Sequence, residues 1–316
     1  MRALPDELEF DALLEPLRDR WGIEVAAANY APVGGGSYHW IVADHTLGRR
    51  FVTVDDLDNK GWFGGAREAA FGGLLAAFDT ASALREHGLE FVVAPLRTSE
   101  GAPLVRVSPR YTLSVFPFVD GEAGQFGEYS ASERAAVVPL VAALHQAPVT
   151  ARRLDLALPL RDALAGADRP WDSGPLAEQA RGVLVRHTAV IENLLARYDR
   201  LGAGIAADGW VVTHGEPHAG NLIESRLLVD WDTVALAPPE RDLWMPVDDD
   251  PEAASRYTRE TGRQLDPSGL DFFRLRWDLA DLASFTAMLR SPHTDNADTR
   301  KACEGLAIIL SRDREA

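Results

Sequence analysis

The sequence predicts an α+β chain in two lobes, an antiparallel-sheet lobe over residues 1–118 and a mainly helical lobe over 119–316. Three observations support this division. Before residue 118, short apolar runs alternate with glycine-bearing turns; after it, long stretches repeat apolar side chains at helical spacing. Between them Pro117-Phe118-Val119-Asp120-Gly121 breaks both patterns. At 316 residues the chain is long enough for each lobe to bury its own core.

Residues 6–20 place Leu8, Leu13, Leu14 and Leu17 near helical spacing, so a helix opens the first lobe. Ile23 to Val33 reads as a strand, followed by the run Gly34-Gly35-Gly36-Ser37-Tyr38 and a second strand, His39 to Ala43. A glycine run between strands lets backbone amides approach phosphates closely, although glycines here also serve a plain hairpin turn. Arg50 to Val54 is the next strand, after a turn at Leu47-Gly48-Arg49. Arg67 to Glu86 is helical, with Ala69, Ala70, Leu74, Leu75 and Phe78 forming one apolar face. Phe91-Val92-Val93, Pro103 to Val107 and Tyr111 to Phe116 complete the expected strands.

In the second lobe Ser132 to Gln146 is a helix with Val137, Leu140, Val141 and Leu144 on one side. Residues 166–174 read as loop, and Leu176 to Leu201 as one long helix. The stretch that carries chemistry comes next, VVTHGEPHAGNLIESRLLVDWD, from Val211 to Asp232. An apolar run delivers a polar loop, a hairpin follows, and the hairpin ends on acids. Glu240 to Trp244 restarts the chain as a helix, and a later helix carries Phe272, Phe273, Trp277, Asp278 and Asp281.

Glu216, Asn221 and Asp230 are the residue types that phosphoryl transfer requires. Moving a nucleotide's γ-phosphoryl needs a carboxylate to orient the attacking hydroxyl and oxygen ligands to hold magnesium on the phosphates. Asn221 follows Glu216 by five positions, the spacing of acid and amide in a kinase catalytic loop. Mg²⁺ favours one or two protein ligands plus substrate phosphates over a protein cage. His214 and His218, four apart, would suggest a metal pair on a helix, but Gly215, Pro217 and Gly220 argue against a helix there.

The string H-G-E-P-H-A-G-N, then V-D-W-D and A-P-P-E-R-D-L, resembles the aminoglycoside phosphotransferase family and is nearest in pattern to its spectinomycin phosphotransferase branch. The resemblance implies a protein-kinase-like fold and a nucleotide cofactor, ATP or GTP, with Mg²⁺. It places Glu216 at the catalytic base, Asn221 and Asp230 at magnesium, and His214 and Asp242 around the catalytic loop as braces. It also implies that Gly34, Gly35, Gly36 and Ser37 cover the phosphates and that the hinge at Phe118 meets the nucleotide base. Two positions depart from the pattern. Glu216 stands where the family has Asp, and Thr53 stands where its strand lysine grips the phosphates. Lys60, in the loop beyond that strand, or Arg67 could supply the missing cation, with Glu68 as the helix glutamate expected to pair with it.

The composition narrows the partners. A net charge of −16 disfavours nucleic acid and anionic membranes and suits a cationic small molecule. Asp248-Asp249-Asp250 together with Trp277, Asp278 and Asp281 form a candidate surface for an amine-bearing hydroxyl substrate, through charge pairing and stacking. Cys303 is the only cysteine, no apolar run approaches a membrane span, and a cytoplasmic location is expected. Three functions fit these residues: phosphorylation of an aminoglycoside or aminocyclitol antibiotic, phosphorylation of a metabolite such as choline, homoserine or a sugar, and nucleotide or drug binding without transfer.

Overall fold

The computed structural model describes residues 1–312 except Asp6, Glu128, Asp168 and Asp249. A short 3₁₀ turn, Phe10–Leu13, leads into α1 (Leu14–Trp21), which ends at Gly22 in the left-handed region that terminates helices. Strands β1 (Val25–Tyr30), β2 (Ser37–Asp44), β3 (Gly48–Asp56), β4 (Leu104–Arg106) and β5 (Tyr111–Pro117) form one antiparallel sheet in the order β1-β2-β3-β5-β4. Alternation along β3 separates its two faces. Val52 and Val54 join Leu13, Leu17, Trp40, Leu113 and Val115 in one core, whereas Phe51 packs with Phe78 and Phe116 under α2 (Arg67–Glu86). By the same alternation Thr53 and Asp55 share the face of Phe51.

The expected strand at 91–93 does not form as an element. Val92 instead makes a single bridge to Leu228, and Val93 N donates to Leu228 O at 3.1 Å. These residues pair with the hairpin at 222–228, so they join the lobes rather than widen the sheet.

The second lobe begins with α3 (Ala131–His145), whose start is fixed by a reciprocal capping box between Ser130 and Glu133. The long helix expected at 176–201 divides into α4 (Ala177–Arg186) and α5 (Thr188–Ala203), because His187 leaves the helical region at φ −117° and ψ 16°. Next come β6 (Val211–Thr213), β7 (Leu222–Ile223), β8 (Leu227–Leu228) and β9 (Ala235–Ala237), with β6 paired to β9 and β7 to β8. The chain ends in α6 (Glu240–Leu243), α7 (Pro251–Thr261), α8 (Pro267–Arg290) and α9 (Ala297–Arg312). One core joins α3, β6, Trp231, Leu243 and Tyr257; another joins α4, α5, α8 and α9. Near the N-terminus, the amides of Arg2 and Ala3 donate to Asp298 of α9, which ties the sheet lobe to the helical one. Among the described residues no helix is long and apolar enough to cross a membrane.

Candidate active site

The loop at 214–221 hangs from β6 and is braced from below. Gly215 has φ 102°, and a Cβ on it would lie 2.1 Å from the Arg241 guanidinium, so only glycine fits. Asp242, 1% exposed, accepts from His214 N at 2.7 Å and from Gly215 N at 2.6 Å. His145 Nε2 lies 3.1 Å from the same carboxylate, and the His145 ring is held in turn by the Tyr257 hydroxyl at 2.9 Å. Burial alone would raise the Asp242 pKa, but the His145 bond and the charge of Arg241 hold it below the usual carboxylate range. It stays ionised and pins the loop.

His214 is fully buried and spends both ring nitrogens on the backbone. Nδ1 accepts from Glu216 N at 3.2 Å, so the proton belongs on Nε2, which faces Val229 O at 2.9 Å. Burial pushes its pKa down and keeps it neutral. Its ring also packs edge-on against Trp231, with centroids 4.5 Å apart. The structure therefore gives His214 a positioning role for Glu216, with no ring nitrogen left for substrate.

Glu216 points into the cleft with 36% of its side chain exposed. Enclosure first, then the charges of Asp230, Asp232 and Asp281, push its pKa up to about 8; water at the cleft mouth tempers that shift. Asn221 Nδ2 donates to Glu216 O at 2.9 Å, which leaves Asn221 Oδ1 available to a ligand. The Asp230 backbone sits at φ 66°, a conformation that aspartate tolerates better than most residues and that clusters at functional sites. Asp230 is an exposed residue; desolvation of its carboxylate, then the charge of Asp232, pushes its pKa up, and its access to water tempers that shift. An amide oxygen and a crowded carboxylate fit the divalent cation that the resemblance implies, because the cation would relieve that crowding. Among the described residues no three acid, His or Cys groups form a metal-binding cluster.

Lys60 is drawn into this site. It is 1% exposed, and its ammonium contacts Asp55 Oδ1 at 2.8 Å, Asp232 Oδ2 at 2.7 Å and Ser37 Oγ at 3.0 Å. Burial opposes the charge, yet Asp232 and Asp55 outweigh it and raise the pKa well above the ordinary lysine value. Ser37 closes the glycine run, in which Gly34 and Gly36 adopt φ 66° and 96°. The Thr53 position is filled by a bond to His39 Nδ1 at 3.1 Å. Two expectations fail at this point. Glu68 pairs with Arg106 at 2.7 Å, with its side chain 84% exposed, and so does not meet the lysine. Arg67 is taken by Asp58 on the surface. Phe118 lies at the hinge under the Arg49 guanidinium, 4.0 Å from its ring centre.

Of the proposed substrate residues, Trp277, Asp278 and Asp281 share α8, and the Asp281 charge reaches Glu216. Burial, then Asp278, raises the Asp281 pKa to about 7. Phe126 and Trp277 stack with centroids 6.1 Å apart, and His218 stands edge-on to both, so an aromatic wall adjoins the catalytic loop. Asp248 is committed elsewhere, in an exposed ion pair with Arg274 at 2.6 Å. Asp250 caps α7, and Asp249 lies outside the described residues. The site residues that sequence reasoning missed are Asp55, Asp232 as a lysine partner, and Phe126. Two-residue periodicity from Thr53 could have exposed Asp55; Phe126 lies in a loop and has no periodic signal.

Residues 34–291 match the model of a phosphotransferase enzyme family. Protein StrN of Streptomyces griseus is 26% identical over 258 residues, 76% of this chain and 78% of StrN. The crystal structure of a spectinomycin phosphotransferase with ADP and spectinomycin superposes with a TM-score of 0.72 at 17% identity, covering 98% of this chain and all of that one (100%). A microcompartment-associated aminopropanol kinase superposes at 0.61 and 16% identity, over 96% of each chain. These likenesses establish a two-lobed kinase-like fold. With the family match spanning most of its length, the chain belongs to the phosphotransferase enzyme family.

Proposed function

We propose that the protein transfers the γ-phosphoryl group of a magnesium nucleotide, ATP or GTP, to a hydroxyl of a cationic small molecule of the aminoglycoside or aminocyclitol class. The observation that carries this reading is the placement of Glu216 and Asp230 in one electrostatically coupled cleft, with Asn221 bonded to the Glu216 carbonyl and Lys60 reaching in from the sheet lobe. Residues 1–118 hold the nucleotide, with Gly34 to Ser37 over the phosphates and Phe118 at the base. Residues 119–316 supply the chemistry.

Glu216 receives the proton of the attacking hydroxyl, and a raised pKa suits a base working near neutral pH. His214 and Asp242 fix the backbone from which that carboxylate projects. Asn221 and Asp230 would hold the magnesium, which when bound neutralises charge on the phosphates. Asp278 and Asp281 attract the acceptor's amines, while Trp277 and Phe126 offer ring faces for stacking or cation–π contact.

The test is product formation from ATP and from GTP with a panel of aminoglycosides, aminocyclitols, amino alcohols, choline, homoserine and sugars, analysed by mass spectrometry. A phosphorylated acceptor that disappears with Asp230→Ala supports transfer, and the preferred acceptor separates antibiotic from metabolite. Nucleotide binding without product from any acceptor would leave a binding protein instead.

A further inference from the structure

An ammonium has three protons to donate, and Lys60 donates toward three oxygens. Two of these partners are fixed to the sheet. Ser37 and Asp55 are register partners on β2 and β3, and Ser37 Oγ donates to Asp55 Oδ1 at 2.6 Å. The third, Asp232, belongs to the other lobe and stands two residues from Asp230, among acids with which it shares a repulsive field. The cation therefore has a rigid holder on one side and an exchangeable partner across the cleft. Asp55 is 1% exposed, and its second oxygen, Oδ2, is buried with no hydrogen-bond partner among the described residues, so it retains capacity to hold the lysine when another bond moves.

We infer that Lys60 is a displaced phosphate-gripping lysine held by Asp55, and that its bond to Asp232 is a lobe-to-lobe latch that nucleotide phosphates displace. The inference rests on the phosphotransfer reading and adds two assignments to it. Asp55 is the positioning residue for the cation, a role that the surface-paired Glu68 does not fill. Asp232 competes with the nucleotide for Lys60, so part of the nucleotide's binding energy goes into opening that ion pair.

The test is ADP affinity by calorimetry without added divalent metal, on the full chain and on single and double variants. Lys60→Met should weaken ADP binding about tenfold or more, the scale of a lost charge-assisted hydrogen bond. Asp232→Asn should tighten it by roughly threefold to tenfold, and that gain should vanish in the Lys60→Met background, because interacting neighbours are not additive. A gain of equal size in both backgrounds would mean that Asp232 only repels the phosphates, and the latch would be wrong; so would no gain in the wild-type background.

Asp55→Asn should weaken ADP as Lys60→Met does, while Glu68→Gln leaves binding unchanged; equal losses from both would remove Asp55 from its assigned role. Should Asp55→Asn fail to fold, the Lys60→Met/Asp55→Asn pair, which removes the Asp55 charge together with its lysine and leaves only Asp232 without that partner, as Lys60→Met also does, must bind ADP as Lys60→Met alone does; weaker binding overturns the assignment. A wild-type chain that binds no nucleotide defeats the phosphotransfer reading itself, whereas binding indifferent to residue 60 defeats only the latch.

Discussion

Glu216 is one methylene longer than the aspartate of the family pattern, and its backbone is held on both sides. Its amide is tied to His214 Nδ1, its carbonyl to Asn221 Nδ2, and Pro217 restricts its backbone to extended geometry. Glu216→Gln should lower kcat by roughly 10²–10⁴, the usual contribution of a general base. Glu216→Asp, despite restoring the family residue, should still lose about 10²-fold, because a carboxylate withdrawn by about 1 Å is misplaced for the hydroxyl. Steady-state rates with saturating nucleotide measure both, and an aspartate variant as fast as wild type would show that the loop adapts. Gly215→Ala makes the complementary point. With φ at 102° and Arg241 at 2.1 Å from the new Cβ, it should lower Tm and abolish most turnover, read by thermal unfolding and by the same assay.

At the scale of elements, the loop at 214–221 is held by α6 and α3 as well as by its own sequence neighbours. Asp242 of α6 receives two loop amides, and His145 at the end of α3 fixes Asp242. Asp242→Ala leaves those amides unpaired and buried, at about 1–3 kcal/mol for each. Denaturant unfolding should show the summed loss, with turnover falling further because Glu216 loses its platform. His145 and Asp242 lie 97 positions apart, so nothing in local sequence announces their bond. The residues of the loop itself were legible, since acid and amide keep a fixed spacing along one short stretch. Glu68 misled for the opposite reason. Helix position gave it the expected place, but the lysine that should meet it had moved from β3 into the loop beyond, next to Asp55.

Across the whole molecule the net charge is −16, and the acids Glu216, Asp230 and Asp281 repel or crowd one another enough that enclosure and neighbouring charge raise their pKa values toward 7–8, less so where water reaches Glu216 and Asp230. A carboxyl whose folded pKa exceeds its unfolded value stabilises the fold below the unfolded value, and that contribution is lost as pH rises through the folded one. The window here runs from about 4 to about 8. Magnesium with ADP should therefore raise Tm more at pH 8.5 than at pH 5.5, where these acids are largely protonated, and scanning calorimetry at the two pH values checks it. Asp281→Asn should gain roughly 2–4 °C relative to wild type at the higher pH and little at the lower.

By itself the sequence determined the two-lobed α+β architecture and most of its strands and helices, because periodicity is a local property of the chain. Tertiary structure decided which cation enters the cleft, which acid holds it, and which acids are spent on surface pairs or helix caps. Those outcomes depend on what burial costs a charge and on which opposite charge lies within about 3 Å. Partners such as Lys60 and Asp232, 172 positions apart, meet only when two separately packed lobes come together.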